Sequence, residues 1–389
     1  MADLNLFCIT ISENDIARIT SRLRKWLDRT ANPMKRLTPE KLASALIHSI
    51  DFLLSDRINT GIGKGGWGYS DAKYMKLLYG LEDYNPGKES IMTSAVNVMA
   101  LHDCLINMDN SEILINGDRP KYLLDSIVNE FSDYINSRWD KVKGHGGVLT
   151  IGRENDEIIT PRYRHTAWLF HLWHLFPHYR DRMKITATNL LTEFDCINWQ
   201  NEKVATAVTA HSAFSILEKS PLCAALGVDV PARVNHLKYI LESQIESHFS
   251  RDLSGWTSGN TLQGGRQLYT LFVCTEMVEM YSRPEETLTM QLDEAIEATM
   301  QENWRSSDQR GVPLSPGGPS DINASALAAS ALMRKPKLTS KEKDFLSNIS
   351  FFLVDRLASG QDAFQDTFSW ALSYFVRDIS NFLKGRVVT

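Results

Sequence analysis

The chain has 389 residues, 43% of them hydrophobic and 23% charged, enough to bury one large core or two ordinary ones and too apolar to stay disordered. Lys and Arg number 42 against 47 Asp and Glu, and a net charge of -5 leaves no electrostatic footprint for nucleic acid. No stretch approaches the roughly eighteen consecutive apolar residues of a membrane span. The N-terminal "MADLNLFCITISENDIARITSRLRKWL" carries its charges after a short apolar run, the reverse of a secretory signal, so the expected location is cytoplasmic. The five cysteines, Cys8, Cys104, Cys196, Cys223 and Cys274, are odd in number and scattered without a CxxC pair, which argues for buried reduced thiols.

Along the chain, residues 13–29 read as an amphipathic helix, and then a unit recurs. Each unit has an amphipathic stretch, a loop built on Gly or Trp, and a more apolar helix that opens on small residues. The amphipathic stretches are expected at 39–55, 121–138, 180–194, 232–249, 288–303 and 341–357, each mixing charge with an apolar stripe. Pro39, Pro120 and Pro231 sit near three of their starts, where a missing N–H costs least. The loops that follow are Gly66-Trp67, Gly146-Gly147, Asn198-Trp199, Gly255-Trp256, Asn303-Trp304 and Gly360-Gln361. The inner helices open at Ser94-Ala95, Thr166-Ala167, Thr206-Ala207, Ser325-Ala326 and Thr367-Phe368, with "GGRQLYTLFVC" (264–274) as the degenerate fourth member. Almost nothing reads as strand.

Six hairpins with polar-striped outer members and small, apolar inner members satisfy both faces by closing into a ring, with an open solenoid as the competitor. Small residues such as Ala95, Ala167, Ala207 and Ala326 allow close approach where a ring is crowded. The expected organisation is an N-terminal extension over 1–38 and one all-α domain over 39–389. The densest local cluster is "PRYRHTAWLFHLWHLFPHY" (161–179). Its His171, His174 and His178 would share one side of a continuous helix, but Pro177 interrupts it, so core or rim histidines are expected rather than a metal site.

The pattern around "GGWGYSD…ESIMTSAVNVMAL" resembles the toroidal repeat family of squalene and hopene cyclases, protein prenyltransferase β-subunits and related terpenoid cyclase domains, over about residues 39–383. The resemblance implies an (α/α)6 toroid in which "GGWGYSD" is a hairpin connection and Trp67 packs between neighbouring hairpins. It also implies an isoprenoid-like or other amphipathic small molecule as ligand. The family's acid motif Asp-x-Asp-Asp-Thr-Ala aligns with "DINASA" here, where Asp321 is kept but Asn323 stands in the acid's place. Another acid, Asp366 or Glu89, would then have to be tuned for proton chemistry, so Asp321 and Asp366 are the candidate catalytic carboxylates. The zinc set of prenyltransferases has only Asp195-Cys196 as a local match, and no DDxxD run for magnesium diphosphate exists. No cofactor or metal is expected.

In a closed ring the inner-helix N-termini converge on one mouth, where their dipoles add to nearby cations. Arg162, Tyr163, Arg164, His165 and Trp168, with Arg266, Lys203 and Glu89, are therefore the expected substrate-binding rim for an anionic headgroup. A solvated rim of salt bridges to Glu89, Glu202, Asp321 and Asp366 is the alternative. The Pro/Gly-rich "RGVPLSPGGPSD" (310–321) either shapes that entrance or simply connects a hairpin. Two functions stay open: an enzyme or binder of an amphipathic isoprenoid, and a non-enzymatic module whose mouth or outer surface binds a protein.

Overall fold

A computed structural model describes residues 11–29, 32–58, 64–68, 90–109, 125–133, 150–151, 158–159, 163–176, 179–257, 263–277, 287–301 and 306–385, without the side chains of 108–109, 150–151, 158–159, 263–266 and 361. The described chain is mostly helical. Helix α1 (Glu13–Leu27) is followed by α2 (Pro39–Ser55), α3 (Ile91–Asp109), α4 (Tyr163–Leu175), α5 (Arg180–Glu193), α6 (Val204–Lys219) and α7 (Pro221–Leu226). Then come α8 (Val230–Ser247), α9 (Gln263–Glu276), α10 (Thr287–Met300), α11 (Ile322–Arg334), α12 (Ser340–Leu357) and α13 (Ser369–Lys384). Residues 125–133 are helical as well. The only strands among the described residues are two antiparallel pairs of two-residue strands, Thr150–Ile151 with Ile158–Ile159 and Phe249–Ser250 with Gly255–Trp256.

Local chemistry explains where several helices start. Pro39 and Pro231 lie in the first turns of α2 and α8, where the lost N–H had no partner to lose. Thr339 and Glu342 close a reciprocal capping box on α12, and Asp321 caps α11 by accepting from the Ala324 N–H at 2.8 Å. Gly385 ends α13 with φ +78°, a left-handed cap that a side chain would strain.

Helices α3, α4, α6, α9, α11 and α13, which the sequence marks as the inner members, bury most of their described side chains. They pack in chain order, α3 on α4, α4 on α6, α6 on α9, α9 on α11 and α11 on α13, and α13 returns against α3. Outside this cycle α5 packs on α4, α8 on α6, α10 on α9 and α12 on α11, while α12 also meets α2 and α8 meets α10. The amphipathic stretch expected at 121–138 is described only over 125–133, and Gly146-Gly147 lies outside the described residues. Helix α1 packs on α2 and α13, with the Arg22 guanidinium donating to the Asn107 carbonyl.

The loops repeat one device. The Trp67 N–H donates to Ser94 Oγ (2.8 Å), the Trp256 N–H to Thr270 Oγ1 (3.0 Å) and the Val312 N–H to Ser325 Oγ (2.9 Å). In these three loops a Ser or Thr hydroxyl on the inner helix, in the first turn at Ser94 and Ser325 and in mid-helix at Thr270, holds the incoming loop by its backbone. In the same loops the indole N–H of Trp67 donates to the Leu53 carbonyl (2.6 Å) and that of Trp256 to the Ile245 carbonyl (2.9 Å). Both carbonyls belong to the last turn of an outer helix, where the regular i+4 ladder ends; Ile245 also accepts the capping His248 N–H at 3.3 Å. The Trp199 indole N–H donates at 3.2 Å to the carbonyl of Phe194, the cap that follows α5, which also accepts the Ile197 N–H.

Close approach explains the glycine before the aromatic. A Cβ on Gly255 would lie 2.5 Å from Thr270 Oγ1, and one on Gly311 would lie 2.6 Å from both Ser325 Oγ and the Phe352 ring. By this geometry Gly311-Val312 holds, in the loop before α11, the place that Gly255-Trp256 holds in the loop before α9. Trp304, expected at that place from the sequence, lies outside the described residues.

Candidate functional site

Contacts between helices that are not neighbours in the cycle mark its interior. The Tyr374 hydroxyl on α13 donates to Glu276 Oε1 on α9 at 2.5 Å. The Arg164 guanidinium on α4 lies 5.2 Å from the centre of the Phe272 ring on α9. The Trp370 ring on α13 stands edge-on to Phe272, with centroids 5.9 Å apart. Met92, Trp168, Phe272, Leu327, Trp370 and Tyr374 are each less than a tenth exposed. At this level side chains cross the interior and fill it.

Below the aromatics lies a charged layer. The Arg334 Nε donates to Asp378 Oδ2 at 2.7 Å, Ser330 donates to the same oxygen, and the Arg377 Nε donates to Asp378 Oδ1 at 3.2 Å. Arg334 also donates to the Thr275 carbonyl, and the guanidiniums of Arg334 and Arg377 lie 5.3 and 5.4 Å from the Tyr374 ring centre. Burial raises the Asp378 carboxyl to about 6 despite these donors. Burial also raises Glu276 to about 7, against the opposing pull of the Tyr374 hydroxyl, Arg377 and Arg164. Burial, then the Glu276 charge, pushes the Tyr374 phenol well above its ordinary range. His171 is drawn down to about 4 by burial and faces the Thr209 carbonyl at 3.4 Å.

The sequence-derived residues fall into different surroundings. Arg164 faces the interior, and its only hydrogen bond among the described residues is to Met92 Sδ at 3.1 Å, with its Nε buried and unpartnered. Trp168, one turn on, is buried with its Nε1 unpartnered. Tyr163 faces outward instead: its hydroxyl donates to the Leu190 carbonyl at 2.6 Å and its ring stands edge-on to Phe194 and Trp199. His165 is half-buried. Asp321 is the α11 cap, and the Asp366 side chain is exposed on the turn before α13. Glu89 and Arg162, and the side chain of Arg266, lie outside the described residues.

Asn323 has a structural use that explains the residue type. Its Nδ2 donates to the Asp366 carbonyl at 3.0 Å while its Oδ1 accepts from the Phe368 N–H at 2.7 Å. An ionised Asp could accept but not donate, so this bridge between α11 and the start of α13 requires an amide.

Glu276, Tyr374, Arg334, Arg377 and Asp378 were not singled out from the sequence. The available signal was charge inside otherwise apolar helices, in "LFVCTEM" and "WALSYFVRDIS". Among the described residues no group of three or more His, Cys, Asp or Glu side chains could hold a metal ion, and no helix is long and apolar enough to cross a membrane. Cys104, Cys223 and Cys274 are buried free thiols and Cys196 is an exposed one. No family model, curated protein or solved structure matches the chain.

Proposed function

We propose that the chain is an (α/α)6 toroid of six helical hairpins over residues 39–389, terpenoid cyclase-like in build, and that it acts as a non-enzymatic protein-interaction module. The observation that carries this reading is the filled interior. Phe272, Leu327 and Tyr374 are 4, 0 and 1% exposed, where walls of a cavity wide enough for an isoprenoid tail would offer far more surface. The return packing of α13 on α3 supports closure. On the outer wall, Tyr239 of α8 and Met290 of α10 are 69 and 65% exposed on neighbouring helices, large side chains of the kind that anchor protein contacts.

The test is a native mass spectrum of the chain purified from its host, alongside a Tyr239→Ser, Met290→Ser double variant. A protein retained by the unsubstituted chain and lost from the variant is expected. Stoichiometric terpenoid with no bound protein would overturn the reading.

A second reading, an isoprenoid-like ligand bound or processed with its polar head on Arg164, is favoured by that guanidinium having only a thioether as hydrogen-bond acceptor among the described residues. Farnesyl diphosphate and farnesol separate the two. Under the second reading the diphosphate raises the melting temperature more than the alcohol, and Arg164→Ala abolishes the difference.

A further inference from the structure

The first two turns of α3 and α4 carry unpartnered buried hydrogen-bonding groups. On α4, Arg164 Nε and Trp168 Nε1 are four residues apart and hence on one helix face. On α3, Thr93 Oγ1 and Asn97 Nδ2 are likewise four apart, and Arg164 reaches the residue beside Thr93, Met92. Trp168 is 1% exposed and Thr93 and Asn97 are 0% exposed, so bulk solvent does not reach them. Three of these four groups are N–H donors and the fourth is a hydroxyl able to donate. A buried donor left unmade costs about 1–3 kcal/mol, and a set of this kind fits a ligand that only accepts. Arg164 itself is only half-buried, which leaves its end of the set reachable from the mouth.

We propose that Arg164 and Trp168 bind a small oxyanion at the ring mouth, and that binding draws one proton from solvent onto the Glu276 carboxylate. The proton follows from the neighbours. Glu276 faces Tyr374, which donates to it, and lies within electrostatic reach of Arg164, Arg377 and Asp378. Arg164 is one of the charges that keep its carboxylate ionised. An anion on Arg164 cancels that support, so the Glu276 carboxyl takes up a proton and affinity rises as pH falls through its range near 7. The inference is separate from the outer-wall reading and holds whether or not a protein partner binds there.

Sulfate is the probe, because it does not titrate in this range. Melting of the full chain is followed with millimolar sodium sulfate against sodium chloride of equal ionic strength, at about pH 6 and about pH 8. The expected result is a sulfate-specific rise in Tm, with affinity several-fold higher at the lower pH. Arg164→Lys and Trp168→Phe should each weaken sulfate several-fold, the second with the ring still packed. Glu276→Gln should bind sulfate equally at both pH values. No sulfate-specific shift, an undiminished shift in both Arg164→Lys and Trp168→Phe, or a pH dependence that survives in Glu276→Gln would each overturn the proposal. Inorganic pyrophosphate and farnesyl diphosphate then identify the source: equal affinities assign the site to a free oxyanion, and tighter farnesyl diphosphate assigns it to the headgroup of an amphipathic ligand.

Discussion

Replacing Trp256 tests the hairpin device most sharply, because one side chain carries two separable contributions. Its ring is fully buried, stands edge-on to Phe249 at 4.8 Å, and its indole N–H reaches the Ile245 carbonyl at 2.9 Å. Truncation to Ala removes the whole ring and leaves a cavity, for which about 3–5 kcal/mol is expected. Trp256→Phe keeps most of the apolar surface and loses only the indole donor. The Ile245 carbonyl retains the His248 N–H at 3.3 Å, so this loss stays near the low end, about 1 kcal/mol. Urea denaturation followed by far-ultraviolet circular dichroism measures both, provided the slope is unchanged. A Trp256→Ala midpoint equal to that of the unsubstituted chain, or a Phe variant as damaged as the Ala variant, would refute the packing argument.

Other consequences are open to the same instruments. Gly311→Ala should cost about 1–3 kcal/mol by overpacking against Ser325 and Phe352, read as a lowered urea midpoint. Arg334→Met leaves the Asp378 carboxylate buried without its closest guanidinium, and about 3–5 kcal/mol should be lost in the same titration. Glu276 titrates near 7 in the fold, above its ordinary value near 4.5, so the native state holds a proton that the unfolded chain has released. Its contribution is therefore most favourable below about 4.5, is lost as pH rises towards 7 and is flat above, and Glu276→Gln should remove that part of the stability-versus-pH curve.

Much of the helical framework was legible because it depends on periodicity and on end signals. Five of the six outer helices, all but the one expected at 121–138, begin within two residues of the positions that their apolar stripes and prolines indicate, as at Pro39 and Val230. The small-residue openings were legible as a pattern but not as a cause. That Ser94, Thr270 and Ser325 accept a loop N–H emerges only when the loop is folded back onto the helix. Val312 was missed because the shared feature is a backbone donor, which any side chain except proline provides, so a search for tryptophan passes it by. The interior charges were missed for a related reason. Glu276 and Tyr374 are nearly a hundred residues apart in sequence, and their pairing depends on which helices face each other across the cycle. Tyr163 illustrates the opposite error: it neighbours Arg164 in sequence, yet the 100° turn between consecutive helical residues sends it to the outer layer.

Closure of the ring is the central claim, and a covalent link between its first and last inner helices tests it most directly. Ser373 on α13 donates to Asn97 Oδ1 on α3 at 2.7 Å, which brings the two side chains into contact. With cysteines at both positions, mild oxidation followed by peptide mass spectrometry should recover a linked peptide pair containing residues 97 and 373 at every protein concentration. An open solenoid would hold α3 and α13 apart. Absence of that pair within one chain, or its appearance only between chains and only at high concentration, would contradict the closed ring.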